Sequence, residues 1–223
     1  MFSQRWDLHS HTTFVDGKNS VREMIDAAEE KGLEVFAITE HVRSAAMKWW
    51  SNYVKEIREH RRGKNIRVLV GMEANAIGPP GTVDVTAEMW RDAELVLGAV
   101  HGYYDDDTWG KIEDGSLPKD KALLYEVGKA IGLCNNRNIQ VLAHPGWLFE
   151  KHYGGMPESE LRAIFHTARR TNTAVEFNVW YLRNPKKFLE ILMDENPCVS
   201  LGSNAHSVQE IEDVLPYIKE LIL

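Results

Sequence analysis

Short apolar runs alternate along this chain with longer stretches whose apolar residues recur every three or four positions. The runs are Arg5–His9, Val35–Glu40, Arg67–Glu73, Leu95–His101, Gln140–His144, Ala174–Asn178 and Val199–Ser203. Most are rich in Val, Ile, Leu or Ala, which is how strands covered on both faces read. The intervening stretches predict helices over Val21–Lys31, Trp49–Arg61, Lys121–Asn135, Glu158–Thr171, Pro185–Asp194 and Val208–Leu221, with a short one at Thr86–Arg91. In Val21–Lys31, Val21, Met24, Ile25 and Ala28 share one face. Ser20 and Glu23 form a capping box before it, and Gly32 ends it. Strand followed by helix, repeated about seven times, predicts a parallel α/β architecture. Right-handed crossovers leave two closures, an open doubly wound sheet or a barrel.

The polar residues choose between them. His9 and His11, Glu40 and His41, Glu73, His101, His144, and Asn204 with His206 all stand at the ends of runs. In an α/β barrel the loops at the C-terminal strand ends converge on one mouth, whereas an open sheet spreads them along an edge. The expectation is a single domain over residues 1–223, a distorted seven-stranded (β/α)7 barrel with its active site at the C-terminal strand ends.

Composition removes other classes. Apolar residues are 43% and charged residues 26%, as in a folded globular protein rather than a disordered or collagen-like one. No apolar run approaches the ~20 residues of a membrane span, and MFSQRWDLHS lacks the apolar stretch of a secretory signal. Two cysteines, Cys134 and Cys198, make no disulfide framework, so the expected location is a reducing cytoplasm. With 26 Lys and Arg against 33 Asp and Glu, the net charge of -7 disfavours extended nucleic-acid binding.

His9-Ser10-His11 places two imidazoles on one face of a strand. Asp16 follows in a turn closed by Gly17. Six histidines at strand ends, with two carboxylates, are hard to explain as packing, because buried polar groups without partners cost about 1–3 kcal/mol each. Divalent ions remove that cost, and imidazole with carboxylate suits Zn, Mn or Fe. One catalytic zinc uses about three protein ligands. The candidate ligands His9, His11, Asp16, His41, Glu73, His101, His144, Asn204 and His206 are enough for two to three ions. Multi-metal sites typically hydrolyse phosphate esters or amides with a bridging hydroxide.

The motifs HSH with VDG, ITEH, GMEA, VHG, AHPG and SNAH, in that order and over essentially the whole chain, resemble the PHP (polymerase and histidinol phosphatase) superfamily, in particular its small stand-alone phosphoesterases. The resemblance implies a seven-stranded barrel, a trinuclear site and phosphoester hydrolysis. It implies His9 and His11 on the first ion, Glu73 bridging the first and second, His101 and His144 on the second, and Asp16, His41 and His206 on the third. Two positions depart from the family pattern. Glu40 stands where Asp is usual, and Asn204 stands where Asp is usual two residues before the last histidine. An amide ligates through its oxygen but carries no charge and is no base.

The expected reaction is hydrolysis of a small phosphomonoester, histidinol-phosphate-like or a sugar or nucleotide phosphate. A metal-bound hydroxide would attack, with Glu73, His206 and Asn204 in the catalytic set. Arg43 and Arg183 are the expected phosphate partners, since a guanidinium fork matches phosphate; Lys48 and Lys186 are weaker ones. Trp147, Trp180 and Tyr181 could wall a ring-bearing substrate, and Tyr103 and Tyr104, which follow His101, are expected to line the same mouth. His60, His152 and His166 fit no motif and read as exposed. The run Asp105–Asp107 reads as a solvated loop, and Leu221-Ile222-Leu223 as a packing end. No glycine loop supports ATP or NAD, and oligomeric state is not readable. Three alternatives stand beside this reading. They are an amidohydrolase-like metal hydrolase, a 3′–5′ exonuclease, and a metal-binding barrel with catalysis reduced or lost at Asn204.

Overall fold

The computed structural model describes residues 5–43, 48–104, 111–112, 115–212 and 215–222. Its elements in chain order are β1 (Trp6–Asp7), α1 (Val21–Glu30), β2 (Val35–Val42), α2 (Trp50–His60), β3 (Arg67–Asn75), α3 (Ala87–Asp92), β4 (Leu95–Ala99), β5 (Tyr103–Tyr104), β6 (Lys111–Ile112), α4 (Lys119–Asn135), β7 (Val141–Leu142), α5 (Trp147–Tyr153), α6 (Glu158–Thr171), β8 (Ala174–Phe177), α7 (Pro185–Glu195), β9 (Val199–Leu201) and α8 (Leu215–Ile222). A 3-10 turn, Val179–Tyr181, follows β8.

Seven strands form one parallel sheet in the order β1-β2-β3-β4-β7-β8-β9. The longest register is β2 on β3, from Val35 opposite Arg67 to Val42 opposite Ala74. The two edges meet. Leu8 N–H donates to Leu201 O at 2.9 Å and His11 N–H to Ala205 O at 2.8 Å, so the sheet curls into a nearly closed barrel with helices around it. The Asp7 carboxylate staples the same seam by accepting the Ser203 N–H at 2.9 Å and its hydroxyl at 2.5 Å.

Local sequence explains the elements. Ser20 and Glu23 form the capping box of α1, and Val21, Met24, Ile25 and Ala28 are its buried face. From α2, the buried Tyr53 hydroxyl reaches Ile38 O at 2.6 Å and Gly71 O at 2.8 Å, which ties that helix to both β2 and β3. On β4, Val96 joins the main apolar core while Leu97 and Ala99 join a smaller cluster with Val141 and Ala143. Alternate residues of a strand thus enter different layers. Among the described residues no helix is long and apolar enough to cross a membrane.

Three expectations are corrected. The helix expected over Val208–Leu221 is confined to α8. Pro216, which cannot sit in a helix interior, lies in its first turn. Ahead of α8, the Glu210 carboxylate turns back to accept the His206 N–H at 2.7 Å. Tyr103 does not line the mouth; it is fully buried on the β5–β6 hairpin, its ring 5.3 Å from Tyr125. His60 and His152 are half-buried rather than exposed, and His166 is exposed. Residues 105–107 and Leu223 lie outside the described residues.

Candidate metal centre

His41, near the end of β2, and the loops leaving β1, β4 and β7 meet around Glu73, near the end of β3. This carboxylate is buried. Glu73 Oε1 lies 2.8 Å from His144 Nε2, 3.0 Å from His101 Nε2 and 3.4 Å from His9 Nε2. Its Oε2 lies 2.7 Å from His41 Nδ1 and 3.8 Å from His11 Nε2. Burial alone would raise the Glu73 carboxyl. The neighbouring His101, His9 and His41 outweigh it and hold the group well below its usual range.

Asp16, brought over the mouth by the loop after β1, lies 3.4 Å from His41 Nε2 and 3.5 Å from His206 Nε2. Its pKa is lowered, first by the hydrogen bond from His41. Burial opposes charging of His41, but Glu73 and Asp16 raise it to about 10. His11 falls well below its usual value, through burial and then repulsion by His41 and His9. His101 is likewise lowered, first by burial. His206 donates Nδ1–H to Asn204 O at 2.9 Å, which fixes its ring. Two of these residues sit in the left-handed backbone region, His144 at φ 27° and Asn204 at φ 54°.

Donor atoms within 4.8 Å of one another form four groups among the described residues: His11, Asp16, His41 and His206; His9, His11 and Glu73; His41, Glu73 and His101; and His9, His144 and Glu176. Eight of the nine expected residues fall in these groups, all but Asn204, with His11 added to the Asp16 group, His41 standing with Glu73 and His101, and His144 with His9 and Glu176. Asn204 is buried, and its Oδ1 has no hydrogen-bond partner. The same holds for His9 Nε2 and for both ring nitrogens of His11. Leaving several such atoms unsatisfied in one place costs about 1–3 kcal/mol each. Divalent cations would satisfy Asn204 Oδ1, His9 Nε2 and the lone-pair nitrogen of His11, so the residues fit a multinuclear centre.

Two carboxylates complete the surroundings. Glu40 accepts the Thr12 N–H at 2.6 Å and the Thr12 hydroxyl at 2.5 Å, and its other oxygen lies 3.9 Å from His11 Nδ1. Burial pushes it up to about 7. Glu176, on β8, is the residue that motif reading missed. It accepts from His9 Nδ1 at 2.7 Å and from the His144 N–H at 2.8 Å. Its only trace in the sequence is a charge inside the apolar run Ala174–Asn178.

The cluster opens on two cavities. One, about 590 Å³, is lined by Arg43, Trp49, Phe14 and Trp147 beside His41 and His101. The other, about 570 Å³, is lined by Trp180, Tyr181, Glu210 and Glu212 beside Asn204 and His206. Trp147 and Tyr181 stack edge-on at 5.6 Å, each 5.7 Å from the His144 ring. Trp180 is exposed and packs against Tyr217. Arg183 is exposed, its backbone N–H held by Glu150 at 3.3 Å, and it lines neither cavity. Lys48 and Lys186 are also exposed and line neither.

The model of the PHP domain family matches residues 7–179, well over half of the chain. This chain belongs to the PHP domain family. Membership brings the class of chemistry, metal-dependent hydrolysis of phosphoric esters. The PHP chain is 26% identical to the DNA polymerase/3′-5′ exonuclease PolX of Bacillus subtilis over 93% of its own length, and it spans only 35% of that protein. It is 26% identical to a probable phosphatase, PMI1003, of Proteus mirabilis, covering 96% of this chain and 85% of the relative. The crystal structure of a histidinol phosphate phosphatase from Lactococcus lactis, complexed with zinc, L-histidinol and phosphate, superposes with a TM-score of 0.70. That likeness, at 18% identity over 98% of this chain and 94% of the other, is one of fold.

Proposed function

We propose that this PHP chain hydrolyses a small phosphomonoester, of the histidinol phosphate, sugar phosphate or nucleotide kind, with two to three divalent ions. The carrying observation is the convergence of His9, His41, His101 and His144 on one buried carboxylate, Glu73. His9, His11 and Asn204 would hold one ion, His101 and His144 a second, and Asp16, His41 and His206 a third, with Glu73 shared by the first two. Bound Zn, Mn or Fe supplies Lewis-acid polarisation of the phosphoryl oxygens and an activated water.

The chain's own groups do the rest. Glu73 is kept ionised by its imidazole neighbours and so holds negative charge at the floor of the mouth. Arg43 lines the mouth beside His41 and offers a fork for the phosphate oxygens. His206 spends Nδ1 on Asn204 O and turns Nε2 towards Asp16. A ring so committed serves as a ligand, and the leaving alkoxide takes its proton from water in the open mouth. Trp147 and Tyr181 give the leaving group an aromatic wall. The net charge of -7 disfavours a polyanionic strand as substrate.

Turnover of an aryl phosphate by the metal-loaded protein tests this. Glu73→Gln should lose on the order of a thousandfold in kcat, about 4 kcal/mol. Release of nucleotides from oligonucleotide 3′ ends, with no turnover of small phosphomonoesters, would overturn the reading.

A further inference from the structure

Glu176 falls in a donor group with His9 and His144 but is assigned to no ion above, and its surroundings give it a separate task. On β8, Val175 and Phe177 are buried in the main core. Strand alternation turns Glu176 to the opposite side. It is 1% exposed there, where an unpaired carboxylate is strongly disfavoured. Its two oxygens divide the work. Oε1 lies 2.7 Å from His9 Nδ1, at the end of β1. Oε2 accepts the backbone N–H of His144, after β7, at 2.8 Å. The sheet runs β7-β8-β9-β1 across the closing seam, so the carboxylate reaches over β9 to His9.

Gly202, just past β9, is what lets it reach. A methyl built there would collide with Glu176 Oε1 and His9 Cβ. Gly202 is not in the left-handed region, so space rather than backbone freedom requires glycine.

We propose that Glu176 is a positioning residue of the metal centre. By accepting Nδ1–H it fixes the His9 tautomer that presents Nε2 towards Glu73. With its other oxygen it clamps the backbone that carries His144 at φ 27°. One carboxylate thus orients two ligands from opposite sides of the seam, the carboxylate–histidine–metal arrangement that raises ligand basicity. His9 Nε2, which makes no hydrogen bond, is the atom left free for an ion. The inference rests on the reading of His9 and His144 as ligands.

The test is a cobalt(II) titration of the metal-free full chain against a chromogenic chelator, for wild type, Glu176→Gln and Gly202→Ala. Glu176→Gln should weaken one class of cobalt site by about 10–100-fold and shift the visible spectrum, with the number of ions at saturation unchanged. Gly202→Ala retains the carboxylate and displaces it, so it should change affinity in the same direction, and it stands as an independent check if the Gln variant folds poorly. Wild-type affinity and spectrum in both variants would reduce Glu176 to a structural group and overturn the proposal. Loss of one whole equivalent at saturating cobalt in Glu176→Gln would make it a direct ligand and also overturn it. Wild type that binds cobalt yet turns over no phosphomonoester would defeat the proposed function alone, because the titration needs no substrate.

Discussion

Position 204 carries an amide where the PHP pattern usually has a carboxylate. Its backbone sits at φ 54°, which Asn and Asp tolerate better than other side chains. Asp7 holds the preceding Ser203 by two hydrogen bonds, so an Asp at 204 would inherit the same geometry. Its buried oxygen would then bring a negative charge to ions that the amide meets only with a dipole. Asn204→Asp should therefore tighten divalent-ion binding by on the order of tenfold, about 1.4 kcal/mol, and raise turnover. Chelator competition and aryl phosphate kinetics check both, and no change in either would deny the charge a role. Residues of this kind were legible because a histidine or amide ending an apolar run is out of place. Glu176 was not, since a single charge inside Ala174–Asn178 has no spacing motif. Its meaning depends on His9 and His144, which are distant in sequence.

Helices with a strong apolar period matched their expected spans closely. Glu158–Thr171 is α6 as written, and Val21–Lys31 differs from α1 by one residue. The short α5 was not legible, because its start has no cap of its own: Gly146 precedes it in the left-handed region with no side-chain cap bond. The cap comes from α4. Glu126, buried there, accepts the Phe149 N–H at 2.5 Å, and the Gly146 and Leu148 amides also favour its ionised form. Burial nevertheless pushes its carboxyl up to about 8, from an ordinary 4.5. Between those values the folded chain keeps a proton that the unfolded chain has released. This group's contribution is therefore complete below about 4.5 and fades as pH rises to about 8. In denaturant unfolding of metal-free protein at pH 5, 6.5 and 8, Glu126→Gln should gain on wild type as pH rises. Glu40 and Asp7, also pushed up by burial, to about 7 and about 6, are present in both proteins and cancel in the comparison. A constant gap between the two proteins would refute the account.

The barrel as a whole was legible from alternation plus convergence, since ligands on so many strand ends need one mouth. The seam that closes it was not, because it consists mostly of main-chain bonds that any residues can make. Leu8 N–H to Leu201 O and His11 N–H to Ala205 O carry it, with Asp7 on Ser203. His9 and His11 stand on one side of this seam, and Asn204 and His206 on the other. Ions held by both sides would cross-link it, and metal binding and barrel closure would then be coupled. Binding to the folded state alone adds about 2.7 kcal/mol when free ion is ~100 times its Kd. For a chain of this size that is a Tm shift of roughly 5–11 °C per ion. Chelation should lower Tm by at least that amount and should speed amide exchange first at Leu8 and His11, whose bonds cross the seam. Equal Tm and equal exchange with and without chelator would mean that the seam closes without the ions, and that the donors around Glu73 bear no load in the fold.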